Sequence, residues 1–137
     1  MSEPPVLDFE HHKVGPLRLG DPPDGAQALG KPQRVHGDPG GNQLLEYPGF
    51  ELEFAEGRLV CVKFDIVEGA SAMVGDIRLT RATKPLDAQV WFGDPASDSQ
   101  GPGGLRWIDF ERDGATLALE FDSRGLSCVQ LYAEGYA

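Results

Sequence analysis

Two stretches of the chain repeat each other closely enough to constrain its architecture. "LEFAEGRLVCV" begins at Leu52 and "LEFDSRGLSCV" begins at Leu119, and six of their residues match in type and order at a separation of 67 positions. Shorter matches precede them in the same order, "VGPLRL" with "VGDIRL" and "AQALGKP" with "AQVWFGDP". Ordered self-similarity of this kind predicts two copies of one structural unit, spanning about residues 14–68 and 74–132.

Each of the two matching stretches is typical of a β-hairpin. Glu56-Gly57 would form a two-residue turn in the first, and Ser123-Arg124 would form it in the second. Because alternate residues of a strand point to the same face, each pairing would bury four apolar residues. The predicted inward-facing residues are Leu52, Phe54, Leu59 and Cys61 in the first copy, and Leu119, Phe121, Leu126 and Cys128 in the second. One glutamate of each hairpin would project from the opposite, outer face.

The rest of each copy predicts a short strand, a brief helix and a Gly-rich loop before the hairpin. The helices are expected near residues 22–29 and 85–92, with Pro in the first turn and Gly-x-Pro at the end. The 18 Gly and 11 Pro favour many short strands and turns over long helices. We therefore expect an α+β protein, mainly antiparallel β, in which residues 1–137 form a single domain of two tandem repeats.

The charge balance restricts the classes of partner. The chain has 22 Asp and Glu against 12 Lys and Arg, a formal net charge of −10 at pH 7. Such a surface repels nucleic acids and anionic membranes, so neither is an expected partner. It serves solubility alone, or it complements a basic protein. The sequence shows no apolar run of membrane-spanning length and no signal-peptide pattern, which predicts a cytoplasmic location.

Motifs for catalysis or cofactor binding are scarce. His11 and His12 follow Asp8 and Glu10, but no second cluster of His or Cys at ligand spacing accompanies them. The Gly-rich loops lack the Lys-Ser/Thr step and the GxGxxG pattern of phosphate-binding loops. Carboxylates are plentiful, so a paired acid/base site stays open. We predict no catalytic residue, no metal and no cofactor, and we expect the two cysteines to be small buried hydrophobes rather than a disulfide.

The stretch "LRWIDFERDG" indicates where a partner would bind. Its alternation points Ile108 and Phe110 inward, so the outer face presents the indole of Trp107 among carboxylates. Carboxylates would pair with Lys or Arg of the partner, and the indole would be the central anchor. The candidate partner-binding residues are Glu46, Glu51, Glu53, Trp107, Asp109, Glu111 and Glu120 on the outer sheet face, with Asp94 and Asp98 in the loop after the second helix as secondary candidates.

The pattern of the first unit, "VGPLRLGDPPDGAQALGKP…LEYPGFELEFAEGRLVCV", resembles small bacterial domains in which a helix ending at Gly-x-Pro precedes antiparallel strands. The β-lactamase inhibitor protein and outer-membrane assembly lipoprotein families share this outline. In the inhibitor family, two such units stand in tandem and their sheets form a concave surface that grips a protein.

A small acidic chain without catalytic motifs is also similar to the immunity proteins that neutralise interbacterial toxins, including type VI secretion effectors. This resemblance implies an inhibitor that occludes a basic toxin, above all a nuclease effector. Two alternatives stay open. One is a structural or adaptor role in a larger assembly, and the other is a small-molecule-binding or hydrolytic domain that uses the cleft between repeats.

Overall fold

Two β-sheets and one α-helix make up most of the part of the chain that the computed structural model describes, residues 5–38, 40–67 and 69–134. The strands are β1 (Leu7–Asp8), β2 (Lys13–Val14), β3 (Leu17–Arg18), β4 (Arg34–Gly37), β5 (Gln43–Tyr47), β6 (Phe50–Ala55), β7 (Arg58–Asp65), β8 (Ser71–Val74), β9 (Ile77–Thr80), β10 (Ser97–Gln100), β11 (Arg106–Arg112), β12 (Ala115–Asp122) and β13 (Gly125–Ala133). The α-helix, α1, is Pro85–Phe92, and 3₁₀ helices span Pro23–Leu29 and Pro102–Gly104.

The large sheet consists of two four-stranded antiparallel meanders joined through their last strands. Its order is β10-β11-β12-β13-β7-β6-β5-β4. Lys63 of β7 lies opposite Gln130 of β13, at the centre of the joining pair of strands. Counted outward from this pair, each meander has its fourth, third, second and first strand in turn. Strands at corresponding places in the two meanders therefore lie at equal distances on either side of the pair.

The small sheet has the order β3-β2-β1-β8-β9. Its two hairpins turn at Gly15-Pro16 and at Gly75-Asp76, and the first turn residue has a φ of 56° and 60° respectively. This is the left-handed region, which glycine enters without the steric cost of a β-carbon. The two hairpins therefore follow directly from the sequence matches "VGPLRL" and "VGDIRL".

Buried side chains from both sheets form one core cluster. The inner face of the large sheet contributes Phe54, Phe64 and Phe110, each at most 2% exposed. Helix α1 adds Phe92, whose ring lies 5.4 Å from that of Phe110. Full burial of a side chain of this size stabilises the folded state by roughly 1.5–3 kcal/mol. The core thus covers the inner face of the large sheet. No layer of the described residues covers its outer face.

The predicted turns of both hairpins are confirmed, but the predicted register beyond them is wrong. Ala55 pairs with Arg58 and Phe54 with Leu59, and then Glu53 pairs with Cys61, so one residue is bulged out of the ladder. A β-bulge shifts the alternation of a strand by one residue. Cys61 consequently lies on the outer face beside Glu53, and not on the inner face opposite Leu52.

The second hairpin has the same correction. Its turn joins Asp122 to Gly125 as predicted, and a bulge at Ser127 places Cys128 opposite Glu120 on the outer face. The prediction of a mainly antiparallel β fold with short helices is confirmed. The boundary predicted at residue 68 lies outside the described residues. No helix among those described is both long and apolar enough to cross a membrane.

Candidate functional site

The outer sheet face is the surface of the large sheet that points away from the core. Cross-strand pairing arranges its side chains in three rows. The first row is Glu46, Glu51, Lys63, Gln130, Ala118 and Asp109; the second is Leu44, Glu53, Cys61, Tyr132, Thr116 and Glu111; the third is Asp65, Cys128, Glu120 and Trp107. Seven of the nine candidate residues lie in these rows. The sequence correctly predicts which residues of β5, β6, β11 and β12 face outward.

The two secondary candidates lie elsewhere. Asp98 is in strand β10 and pairs with Ile108, so its side chain is on the inner side of this edge strand. Its carboxylate is bound by the Arg106 guanidinium at 2.7 Å and 2.9 Å, a contact that lowers the pKa of Asp98. Asp94 lies in the exposed segment between α1 and β10. Neither residue contributes to the outer sheet face.

In the half of the face formed by β4 to β7, two carboxylates have a nitrogen partner. His36 Nε2 lies 2.7 Å from Glu46 Oε2, and Lys63 Nζ lies 4.0 Å from Glu51 Oε1. Glu53 has no hydrogen bond or ion pair with any described residue. Burial raises the pKa of Glu53, and the nearby charge of Glu51 raises it further. Its negative charge is therefore uncompensated within the described structure.

The half formed by β10 to β13 holds its carboxylates with neutral donors. The Trp107 indole Nε1–H donates to Glu120 Oε1 at 2.8 Å, and the Ser127 hydroxyl donates to Glu120 Oε2 at 3.2 Å. Ser97 donates to Asp109 Oδ2 at 3.1 Å. The indole also packs against Gly101, where a β-carbon would lie 2.7 Å from its Cη2 atom. These contacts orient the two carboxylates and the indole without cancelling the negative charge.

A cleft of about 260 Å³ opens on this half of the face. Ala118 lies between Asp109 and Gln130 in the first row, and its short side chain leaves the space that the larger neighbours surround. The cleft is lined by Trp107, Asp109, Ala118, Glu120, Cys128, Gln130 and Tyr132. The sequence interpretation missed the three residues from β13, although Cys128, Gln130 and Tyr132 alternate with the buried Val129 and Leu131 and could have been found from that pattern.

A second depression, of about 310 Å³, lies near the other end of the sheet and includes His36, Leu44 and Glu53 among its lining residues. Leu44 pairs with Glu53 as Trp107 pairs with Glu120. An aliphatic side chain thus takes the place of the indole at this position of the second depression.

Cys61 and Cys128 are buried free thiols. Burial raises the pKa of Cys61 to about 12, with neighbouring carboxylates adding to the effect, and burial raises the pKa of Cys128 to about 11. The Gln130 side chain lies between them, 3.9 Å from one sulfur and 3.7 Å from the other. Because the thiolate is the nucleophilic form, these protonated sulfurs are poor nucleophiles at neutral pH.

The histidines near the start of the chain are engaged in local contacts. His11 Nδ1 lies 2.8 Å from Asp8 Oδ2, and His12 Nε2 lies 2.8 Å from the carbonyl oxygen of Arg112. In the part of the chain that the structure describes, no group of three or more His, Cys, Asp and Glu side chains is placed to hold a metal ion.

Among solved structures, the fold is similar to that of a DUF4309 family protein, YjgB, from Bacillus subtilis subsp. subtilis str. 168. The two structures superpose with a TM-score of 0.59 at 16% sequence identity, covering 88% of this chain and 84% of the other. At this level of identity the similarity shows the fold alone. No protein-family model matches the sequence, and no curated protein matches it either.

Proposed function

We propose that this chain is an immunity-type binding protein that neutralises a basic toxin, such as a nuclease, by covering its cationic surface with the outer sheet face. One observation carries the proposal. The face concentrates carboxylates that no Lys or Arg of the described residues pairs, and it surrounds a half-buried indole with them. The carboxylates of this face without an ion pair to Lys or Arg are Glu46, Glu53, Asp65, Asp109, Glu111 and Glu120.

Charge and aromatic contact would have separate roles in such a complex. A formal net charge of −10 accelerates the encounter with a basic partner and makes the association rate depend on salt. Affinity comes mainly from a few central side chains, for which a preoriented Trp is well suited. Trp107 has this property because Glu120 and Gly101 fix its ring.

We further infer that the two meanders are tandem repeats that together provide one continuous binding surface. The inference is supported by the bulges, which occur at Val60 and Ser127, 67 positions apart, and by the register of β7 on β13 about Lys63 and Gln130. Eight strands in one sheet offer enough width for an interface of about 800 Å² on this chain, the usual size of a specific complex.

The test begins with the gene next to the one that encodes this chain. We expect its product to be a basic protein that stops bacterial growth, and we expect cytoplasmic co-expression of this chain to restore growth. Isothermal titration should give a nanomolar complex that weakens between about 0.05 M and about 0.5 M salt. A neighbouring product that neither binds this chain nor inhibits growth would refute the immunity role.

Two double variants locate the surface. Charge reversal at Glu53 and Glu120 should weaken the complex by about 100-fold, because each substitution places a lysine against the cationic partner. The matched control reverses Asp24 and Asp76, two exposed carboxylates off the outer sheet face, and changes the net charge by the same amount. Equal losses in both variants would show that only net charge matters and would remove the outer sheet face from the proposal.

An adaptor role is the second candidate, and one observation favours it. Helix α1 exposes Leu86 at 71%, Val90 at 75% and Trp91 at 42%, an apolar strip through which a larger assembly could hold this chain. Replacement of Leu86 and Val90 by Ser should abolish binding to an assembly partner and leave toxin binding intact. A complex that is insensitive to salt and lost in this variant would favour the adaptor role over the inhibitor.

A further inference from the structure

We propose that the cleft over Ala118 binds the guanidinium group of an arginine side chain from a basic protein partner. The proposal rests on the proposed function and names the group that this surface recognises. Arginine fits because the cleft combines two carboxylates with two aromatic rings. In addition, the corresponding place in the other half of the sheet is occupied by a cation of this chain.

The internal cation is Lys63. In the half formed by β4 to β7, Glu51 lies between Glu46 and Lys63 in the first row, and Lys63 Nζ is 4.0 Å from Glu51 Oε1. Glu51 is two residues before Glu53, the residue that pairs with the cysteine after the bulge. The carboxylates of this half thus have an ammonium group within their own row.

The other half has the same register and different residues. Ala118 is two residues before Glu120, which also pairs with the cysteine after the bulge, and it lies between Asp109 and Gln130. Ala118 and Gln130 therefore stand where the first half has Glu51 and Lys63. The difference removes the side chain that would fill the space and leaves no cation within it, and a cleft of about 260 Å³ results. The nearest described cation is Lys63 on the neighbouring strand, whose charge reaches Glu120 without an ion pair.

The walls of the cleft match the chemistry of a guanidinium group. Trp107 and Tyr132 supply aromatic rings, on which arginine stacks more readily than lysine. Asp109 and Glu120 supply carboxylates, and the neutral donors that orient them leave lone pairs free for the planar N–H fork of arginine. Because these groups are fixed before binding, little ordering cost is added when the guanidinium enters.

The size of the cleft also favours a single side chain over a metabolite. Pockets for small molecules usually measure about 300–1,000 Å³ and enclose most of the ligand. The cleft here is below that range and is formed on a sheet surface, so it suits the end of a side chain whose backbone stays on the partner.

The experiment uses the whole chain and a small probe, N-acetyl-arginine-methylamide, followed by NMR of the indole N–H groups. We expect a saturable shift of the Trp107 indole signal with a dissociation constant on the order of millimolar, as befits one isolated side chain. The lysine analogue should bind several-fold more weakly, and the uncharged citrulline analogue should cause no saturable shift. The Trp91 indole on α1 is an internal control and should not respond.

A double substitution tests the comparison between the two halves. Ala118→Glu with Gln130→Lys copies the Glu51 and Lys63 pair into the cleft without changing the net charge, and it should weaken arginine binding by about tenfold or more. The matched control, Glu51→Ala with Lys63→Gln, also preserves net charge on the same sheet face and should not weaken arginine binding, because removal of the Lys63 ammonium leaves the charge of Glu120 less neutralised. If the first variant does not fold, the isosteric Asp109→Asn should show at least a several-fold loss.

The outcomes separate this proposal from the function on which it rests. Arginine and citrulline analogues that shift Trp107 equally, or folded cleft variants that bind arginine like the original chain, would overturn the cleft proposal. If the basic toxin still binds tightly in that case, the proposed function stands without it. Selective arginine binding in a chain that binds no basic protein would retain the cleft and remove the immunity function.

Discussion

Gly125 offers a sharp test of how the second hairpin is attached to the rest of the molecule. It begins β13 directly after the Ser123-Arg124 turn, and its φ is 132°. A β-carbon at this position would lie 2.1 Å from the carbonyl oxygen of Arg81 and 3.2 Å from its carbonyl carbon. Because these are backbone atoms, the clash cannot be relieved by a side-chain rotation.

The contact lies at a junction that Arg81 forms between the two sheets. Its carbonyl accepts a hydrogen bond from Leu126 N–H at 3.2 Å, and its guanidinium donates to the Leu126 and Ile66 carbonyls and to the Asp122 carboxylate. We expect Gly125→Ala to cost about 1–2 kcal/mol for the positive φ and about 1 kcal/mol for the lost backbone hydrogen bond. Displacement of the Arg81–Asp122 ion pair adds little, because solvent screens it.

Urea unfolding followed by circular dichroism should therefore show a loss of about 2–3 kcal/mol in the free energy of unfolding. Gly75→Ala is the matched control, because Gly75 has a φ of 60° and a β-carbon added there would meet no atom within 4 Å. That variant should lose only about 1 kcal/mol, because its single cost is the left-handed backbone at a residue with a β-carbon. Equal losses in the two variants would show that the approach of Arg81 contributes nothing, and would refute the reasoning.

Three further predictions concern the outer sheet face. Burial raises the pKa of both thiols. Ellman's reagent at pH 8 should therefore react with Cys61 and Cys128 at least about 100-fold more slowly in the native chain than in urea. Equally fast reaction would mean that the sheet opens locally. Burial raises the folded-state pKa of Glu53, so its ionised form is destabilising above that pKa. Glu53→Gln should then stabilise the chain slightly at pH 7, and the gain should vanish as the pH falls below about 4.3; a gain that persists in acid would point to packing instead of charge. Gly101→Ala should move the Trp107 ring and change its indole NMR signal while the chain stays folded; an unchanged signal would show that Gly101 does not position the ring.

Local signals in the sequence are sufficient to predict the turns, the short helices and which residues of β11 face outward. Each depends on residues close together in the chain, such as Glu56-Gly57, where positive φ values fit a two-residue hairpin. The bulges give no such signal. The run from Leu59 to Val62 is apolar throughout, so either register buries apolar side chains, and the alternation alone could not show which residues face the core.

The cleft could not be found from the sequence because its walls come from three strands. Trp107 is recognisable as outward-facing, but Gln130 and Tyr132 reach the same space only through the pairing of β12 with β13. Ala118, which creates the space, is a small apolar residue with no chemistry of its own. Its importance becomes visible only beside Glu51, which occupies the corresponding place in the other half of the sheet.

The joining of β13 to β7 has a consequence for how the molecule is assembled. Each meander ends in a strand with an open hydrogen-bonding edge, and each of these edges is satisfied by the other. The seam thus joins the two meanders within one polypeptide, and the covalent linkage supplies an effective concentration on the order of millimolar for their pairing. A chain cut between the meanders would leave two strands with unpaired hydrogen-bonding edges. Its halves would pair with each other or with further copies of themselves.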